Sequence, residues 1–372
     1  MSTRPALVAA LLVMALGFGQ SAGDPCDVGA QTRSLERTQR GGPRLSVLHR
    51  VLSGIQPKSV ALSPDGNQVW VANFGRPDRD NVKVYDADSL ELLGTVEFPG
   101  NAVEFAFSPD GATAYVSNFR RHTIHEVDAR TFEVRRELEV GGHPKVMVVS
   151  PDGARIYVAN WAGSQVTEVD AEAFTVTRRL PTGEHPRGMV LADEGQQLYV
   201  AAMYSHLVHV FARDADEQTT EFRPCRYPRA MQLSPDETRL YASCSCCRQV
   251  RWFDRAGHLR GMATTGENPR SIDLSDDGRW LAVADFDDTT VTLIDTVENT
   301  HRIVPVPDAN QIVGVAVRAR GESIRVYATS WLTGELVVLG TPEPGPEPSR
   351  PEPSQPEPSQ PEPSQPATAP AH

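Results

Sequence analysis

At five corresponding points of a repeat the sequence sets a cation directly after a proline: Pro57-Lys58, Pro144-Lys145, Pro186-Arg187, Pro228-Arg229 and Pro269-Arg270. Cationic side chains repeated in one context suit the capture of an anion by charge-assisted hydrogen bonds, with arginine acting as a planar fork and lysine as a point charge. If the five converge, their mutual repulsion calls for an anionic ligand or an internal acid. The carboxylate in the corresponding stretch is Glu104, which is the candidate general base if the site is catalytic. Blade-like counterparts without a charge are Gln311-Ile312. The competing reading is that the five cations splay into solvent or pair with neighbouring acids such as Glu184 and Glu267.

A second series carries rings at five of its seven positions: Phe74, Phe119, Trp161, Met203, Ser245, Phe286 and Trp331. Aromatic faces there can stack on a flat ligand beneath the cations, or simply pack as core. His122, His143, His185 and His206 lie in the same connections, with His143 and His185 next to the Pro-Lys and Pro-Arg pairs. Imidazoles ligate zinc and copper, but none of these shows close ligand spacing, so no metal is expected from them. Asp78, Asp80 and Asn81 hint only weakly at a cation, and a solvated hairpin tip is the better reading of them. The ligand-binding candidates are therefore Lys58, Lys145, Arg187, Arg229, Arg270, His143, His185, Phe119, Trp161, Phe286 and Trp331, and no cofactor is called for.

Five cysteines are present: Cys26, Cys225, Cys244, Cys246 and Cys247. In an exported chain disulfides are the default, and Cys225 is expected to pair with Cys244, Cys246 or Cys247. A thiolate copper or zinc site built from three or four of them is the alternative. An odd total leaves one thiol over in either case.

The elements that must position these groups are written as a repeat. The turns Ser63-Pro64-Asp65-Gly66, Ser108-Pro109-Asp110-Gly111, Ser150-Pro151-Asp152-Gly153, Ala192-Asp193-Glu194-Gly195, Ser234-Pro235-Asp236-Glu237, Ser275-Asp276-Asp277-Gly278 and Arg318-Ala319-Arg320-Gly321 recur every 41 to 45 residues. Proline presets φ, aspartate hydrogen-bonds nearby backbone and glycine accepts positive φ, so each turn joins two antiparallel strands. The strand after it is centred on an aromatic, as in Val69-Trp70-Val71-Ala72-Asn73, Ala114-Tyr115-Val116-Ser117-Asn118 and Ile156-Tyr157-Val158-Ala159-Asn160. Seven such units predict an all-β, seven-bladed propeller of four-stranded antiparallel blades. Only three strands can be traced after Gly321, so residues 45–52 are expected to supply the fourth strand of the last blade and close the ring.

Over residues 44–340 these motifs resemble the YVTN β-propeller repeat family, with Tyr157-Val158-Ala159-Asn160 close to its signature. The departures are Glu237 for glycine and Ala282 for the aromatic. The resemblance implies a binding or interaction module of the cell envelope that recognises an anionic or polar ligand or a protein partner on the face carrying the cations. It also leaves open an enzyme of the lactonase or lyase kind, or a propeller subunit of a quinone-dependent amine dehydrogenase.

Residues 1–23 read as a signal peptide, an apolar run after Arg4 ending in small residues, with cleavage after Gly23. Residues 24–43 read as a linker and residues 341–372 as a disordered Pro/Glu/Ser-rich tail. Export to the periplasm or exterior follows, with no membrane span, because the apolar run is too short for the hydrocarbon core. The formal charge is -12 for the chain, and with +1 in the signal and -4 in the tail the remainder carries -9. That balance argues against nucleic acid as partner. A monomer is expected.

Overall fold

In a computed structural model the described residues are Cys26 and 35–341, and they form seven blades of four antiparallel strands, two of which carry a short fifth strand, with no helix among the described residues. Residues 1–23, read as a signal peptide, and residues 342–372, read as part of the tail, lie outside the described residues. Six blades run in chain order from an inner strand A to an outer strand D, and the seventh takes its outer strand from residues 46–52. Blade three is representative, with strands Pro144–Val149, Arg155–Asn160, Gln165–Asp170 and Thr175–Pro181.

The A–B turns behave as their residues require. Ser63, Ser108, Ser150, Ser234 and Ser275 each donate a hydroxyl hydrogen bond of 2.5–2.6 Å to the aspartate two positions on. Those aspartates also accept the backbone N–H two residues further, at 3.0–3.1 Å, from Asn67, Ala112, Ala154, Thr238 and Arg279. Glu237 takes the left-handed conformation that glycine holds elsewhere, at φ 55°. Blade seven differs from expectation. Its A strand, Ile312–Arg320, runs through Arg318-Ala319-Arg320 and pairs Arg320 with Ser323, so the turn is Gly321-Glu322 alone.

Blades pack face to face through the aromatic of strand B. Trp70, Tyr157, Tyr199, Tyr241 and Tyr327 are fully buried, and each core cluster draws on neighbouring sheets. Tyrosine hydroxyls keep a polar partner across the seam: Tyr327 donates to Ala87 O at 2.7 Å and Tyr199 to Arg255 O at 3.0 Å.

Ring closure follows the sequence reading. Ser46–Leu52 pairs antiparallel with Glu335–Gly340, placing Val47 opposite Leu339 and Leu52 opposite Glu335. Side chains reinforce this seam, because Asp88 of blade one is gripped by Arg318, Arg320 and Arg325 of blade seven. The stretch read as a linker does more than connect: Glu36–Arg37 and Gln39–Arg40 add parallel outer strands beside Leu259–Thr264 of blade five and Thr300–Pro305 of blade six. They cover two outer edges that would otherwise offer unpaired backbone.

Candidate functional site

The B strand ends opposite the first residue of the A strand, and the local geometry there is repeated around the ring. Pro57, Pro144, Pro186, Pro228 and Pro269 face Asn73, Asn160, Ala202, Cys244 and Asp285. The residue before each proline, Gln56, His143, His185, Tyr227 or Asn268, has a left-handed φ of 53–58°. Directly after the proline the register shifts by one residue in every blade. A bulge of this kind bends its strand and re-aims a side chain. It turns Lys58, Lys145, Arg187, Arg229 and Arg270 inward, where the competing solvent-splayed arrangement would leave them exposed. Arg187 is only 7 % exposed.

Lys58, Glu104, Arg187, Arg229 and Arg270 line one cavity of about 550 Å³ on the ring axis, with Lys145 adjoining. The register corrects one detail of the sequence reading. Ala102 is the counterpart of the prolines, so Val103 and not Glu104 stands at the cation position of blade two, and Val313 and not Gln311-Ile312 stands there in blade seven. Glu104 sits one residue deeper, inside the bulge.

The electrostatics follow from crowding. Burial, reinforced by Arg187 and Arg229, pulls Lys145 down to about 6, with Glu104 opposing. Burial and the same arginines hold Lys58 well below its ordinary value. Arg270 comes down to about 10 through burial and Arg187, while guanidinium groups keep their protons at neutral pH. Burial raises Glu104 against the pull of Arg187, Lys58 and Lys145. Among the described residues no ion pair within 4.0 Å engages any of these six groups, and the Nε atoms of Arg229 and Arg270 are buried without a hydrogen-bond partner. Further down the cavity lies Asp273, which sequence reading missed. Burial raises it to about 7, and it accepts the Val317 N–H at 2.7 Å. Its signal was available, since it is an acid within an A strand.

The ring-bearing series collects around the mouth. Trp331, Phe74, Phe119 and Trp161 follow one another with centroids 5.7–6.3 Å apart. His143 stacks on Phe119 at 4.3 Å and His185 meets Trp161 at 4.2 Å. The collar continues through Tyr204 and Tyr227, 5.5 Å apart, which the sequence reading left out of the series. Cations cross to the rings: Lys58 over Trp331 at 5.5 Å, Lys145 over Trp161 at 4.6 Å and Arg270 over Phe286 at 3.1 Å. Two of the four histidines are tied to backbone, with His143 Nδ1 at 3.0 Å from Phe119 O and His206 Nδ1 at 3.0 Å from Met203 O. In the longer loop of blade one, Asn81 is buried and donates to Gly100 O at 2.8 Å. It therefore braces the loop rather than forming a solvated tip.

Blade five and the loop that enters it carry four of the five cysteines. Where Asn118 and Asn160 donate to Pro99 O at 2.9 Å and Val140 O at 3.0 Å, clasping the loop that precedes the A strand, Cys244 is disulfide-bonded to Cys225 of the equivalent loop. Cys26, Cys246 and Cys247 remain as thiols, with all three sulfurs within 4.8 Å of one another.

A family model described as a lactonase, 7-bladed beta-propeller, matches residues 59–224. Among curated proteins, Protein NirF of Pseudomonas aeruginosa is 36 % identical over 62 residues, 17 % of this chain, and the match spans 16 % of NirF's own length. Among solved structures, Kuenenia stuttgartiensis hydrazine synthase aligns with a TM-score of 0.66 at 17 % identity, covering 77 % of this chain and 95 % of that one. The β-propeller domain of Myceliophteria thermophila Cps50 (Swd1) gives 0.69 at 12 % identity, covering 81 % and 100 %. At such identities the structural likeness is one of fold. This chain is a seven-bladed β-propeller.

Proposed function

We propose that the protein is an exported propeller that binds an anionic ligand in the axial cavity, on the face formed by the loops before strands A and after strands B. The observation that carries this reading is the convergence of Lys58, Arg187, Arg229 and Arg270 on a cavity that also holds Glu104, with Lys145 adjoining and the Nε atoms of Arg229 and Arg270 buried and unpartnered. An unpaired buried donor costs about 1–3 kcal/mol, and a bound oxyanion would satisfy several at once. Around it the aromatic collar offers stacking for a flat or apolar portion of the same ligand. Export is supported by the leader-like residues 1–23 and by the disulfide, and no described helix is long and apolar enough to cross a membrane.

The test is calorimetric titration of the full chain with inorganic phosphate and with citrate at rising salt. Affinity is expected to fall with salt, and Arg187→Ala with Arg229→Ala to weaken binding at least about tenfold. Because that double change removes two crowded like charges, the melting temperature should not drop. Equal affinity in the double variant would place the site elsewhere. A hydrolytic reading is favoured by one observation, the lactonase family match across residues 59–224, which include Glu104. Under that reading Glu104 activates water as general base, and Glu104→Gln abolishes lactone turnover while leaving phosphate binding in place.

A further inference from the structure

We propose that Cys26, Cys246 and Cys247 form a three-thiolate site for a soft monovalent cation, of which Cu(I) is the type. Their three Sγ atoms lie within 4.8 Å of one another, and those of Cys246 and Cys247 are 3.3 Å apart. Three thiolates around one metal at the usual metal–sulfur bond of about 2.3 Å sit about 4 Å from each other, so the cluster needs only side-chain adjustment to close on an ion. Soft sulfur ligands select Cu(I), and three of them match its preference for low coordination. Zinc asks for a fourth ligand, and among the described residues no histidine, aspartate or glutamate joins the group.

The surroundings suit such a site. Cys247 is buried, Cys26 half-buried and Cys246 exposed, which gives the cluster a closed floor and an open side for entry. That open side faces a cavity shared with Tyr204, Tyr227 and Arg229. The buried Arg251 guanidinium donates to Cys26 O at 3.0 Å and to Pro224 O at 3.2 Å, pinning the N-terminal cysteine and bringing positive charge toward what becomes an anionic metal–thiolate unit. The other two cysteines are consumed by the Cys225–Cys244 disulfide, which leaves this set distinct from it. The reaction is ligand exchange without redox change: Cu(I) leaves its carrier, three metal–sulfur bonds form, and the thiol protons pass to solvent.

The experiment titrates the full chain anaerobically, without reductant, with Cu(I) supplied as its acetonitrile complex in competition with a chromogenic Cu(I) chelator. One Cu(I) per chain is expected, with three sulfurs in its X-ray absorption shell. Cys26→Ser and Cys247→Ser should each lower affinity at least about 100-fold while retaining the parent's melting temperature, and Cys26→Ser tests the N-terminal ligand without touching the blade. Undiminished Cu(I) affinity in Cys26→Ser overturns the proposal. So does tighter binding of Zn(II) than of Cu(I) at the same sulfurs, or peptide mapping of the isolated protein that finds Cys26 in a disulfide with Cys246 or Cys247.

Discussion

Lys145 concentrates the energetic conflict at the channel mouth. Its folded value is about 6 against 10.5 for the free side chain. Between those values the unfolded chain holds a proton that the folded protein lacks, so this residue makes stability rise with pH from about 6 to about 10, and its cost is fully present below about 6. Lys145→Met should therefore raise the melting temperature at pH 6–7 by at least about 2 °C and flatten that rise, as thermal scans across pH would report. The same residue couples ligand to proton. An anion beside Lys145 favours the ammonium, so binding takes up a proton, and affinity for phosphate should increase by up to about tenfold per unit as pH falls from 8 toward 6. In Lys145→Met that pH dependence should shrink. A site whose removal stabilises the fold while weakening binding is what a preorganised functional constellation looks like.

At the scale of the element, the loop before each A strand has to be held while its backbone is bent by a left-handed residue and a bulge. Blades two and three hold it with an asparagine hydrogen bond, at Asn118 and Asn160, and blade six has Asp285, whose carboxylate accepts the Thr292 hydroxyl at 2.6 Å. Blade five holds it covalently. The Cys225–Cys244 bond spans 19 positions of sequence, and closing a loop of that size is worth about 3 kcal/mol. Cys225→Ser with Cys244→Ser should lose stability of that order in denaturant titrations. Cys225→Ala with Cys244→Asn, which restores the asparagine clasp of the other blades, should recover about 1 kcal/mol of it. If the asparagine version is no better than the serine one, the equivalence between clasp and disulfide fails.

The closed ring depends on a contact between residues 46–52 and residues 335–340. Ser46–Leu52 supplies the fourth strand of blade seven, and the Asp88 cluster with Arg318, Arg320 and Arg325 locks blade seven to blade one. Removing residues 44–53 would expose Glu335–Gly340 as an edge beside a ring that no longer closes. Aggregation, or loss of a single cooperative unfolding transition in calorimetry, is the expected result. A truncated protein that melts like the parent would mean that the seam is held by side chains alone.

Blade number, the periodic placement of cations and six of the seven turns were legible in the sequence because each rests on interactions within one repeat of 41 to 45 residues, and the closing strand was legible because the last repeat lacks its fourth strand. Glycine, aspartate and proline act on their own backbone, so Ser63-Pro64-Asp65-Gly66 reads the same in a string as in the fold. What only the tertiary structure decided lies between repeats. A one-residue bulge leaves no mark in a strand's composition, yet it assigns Val103 to the ring position that Glu104 was expected to fill, and Val313 likewise in place of Gln311-Ile312. The inward aim of the five cations is a consequence of that bulge together with burial against neighbouring blades. Cysteine pairing is likewise a matter of distance: Cys244 is chosen over Cys246 and Cys247 because its place opposite Pro228 brings it to Cys225, with Cα atoms 5.9 Å apart. Cys26 lies beside the remaining two thiols from more than 200 positions away, on the side of the ring where residues 36–40 run along blades five and six.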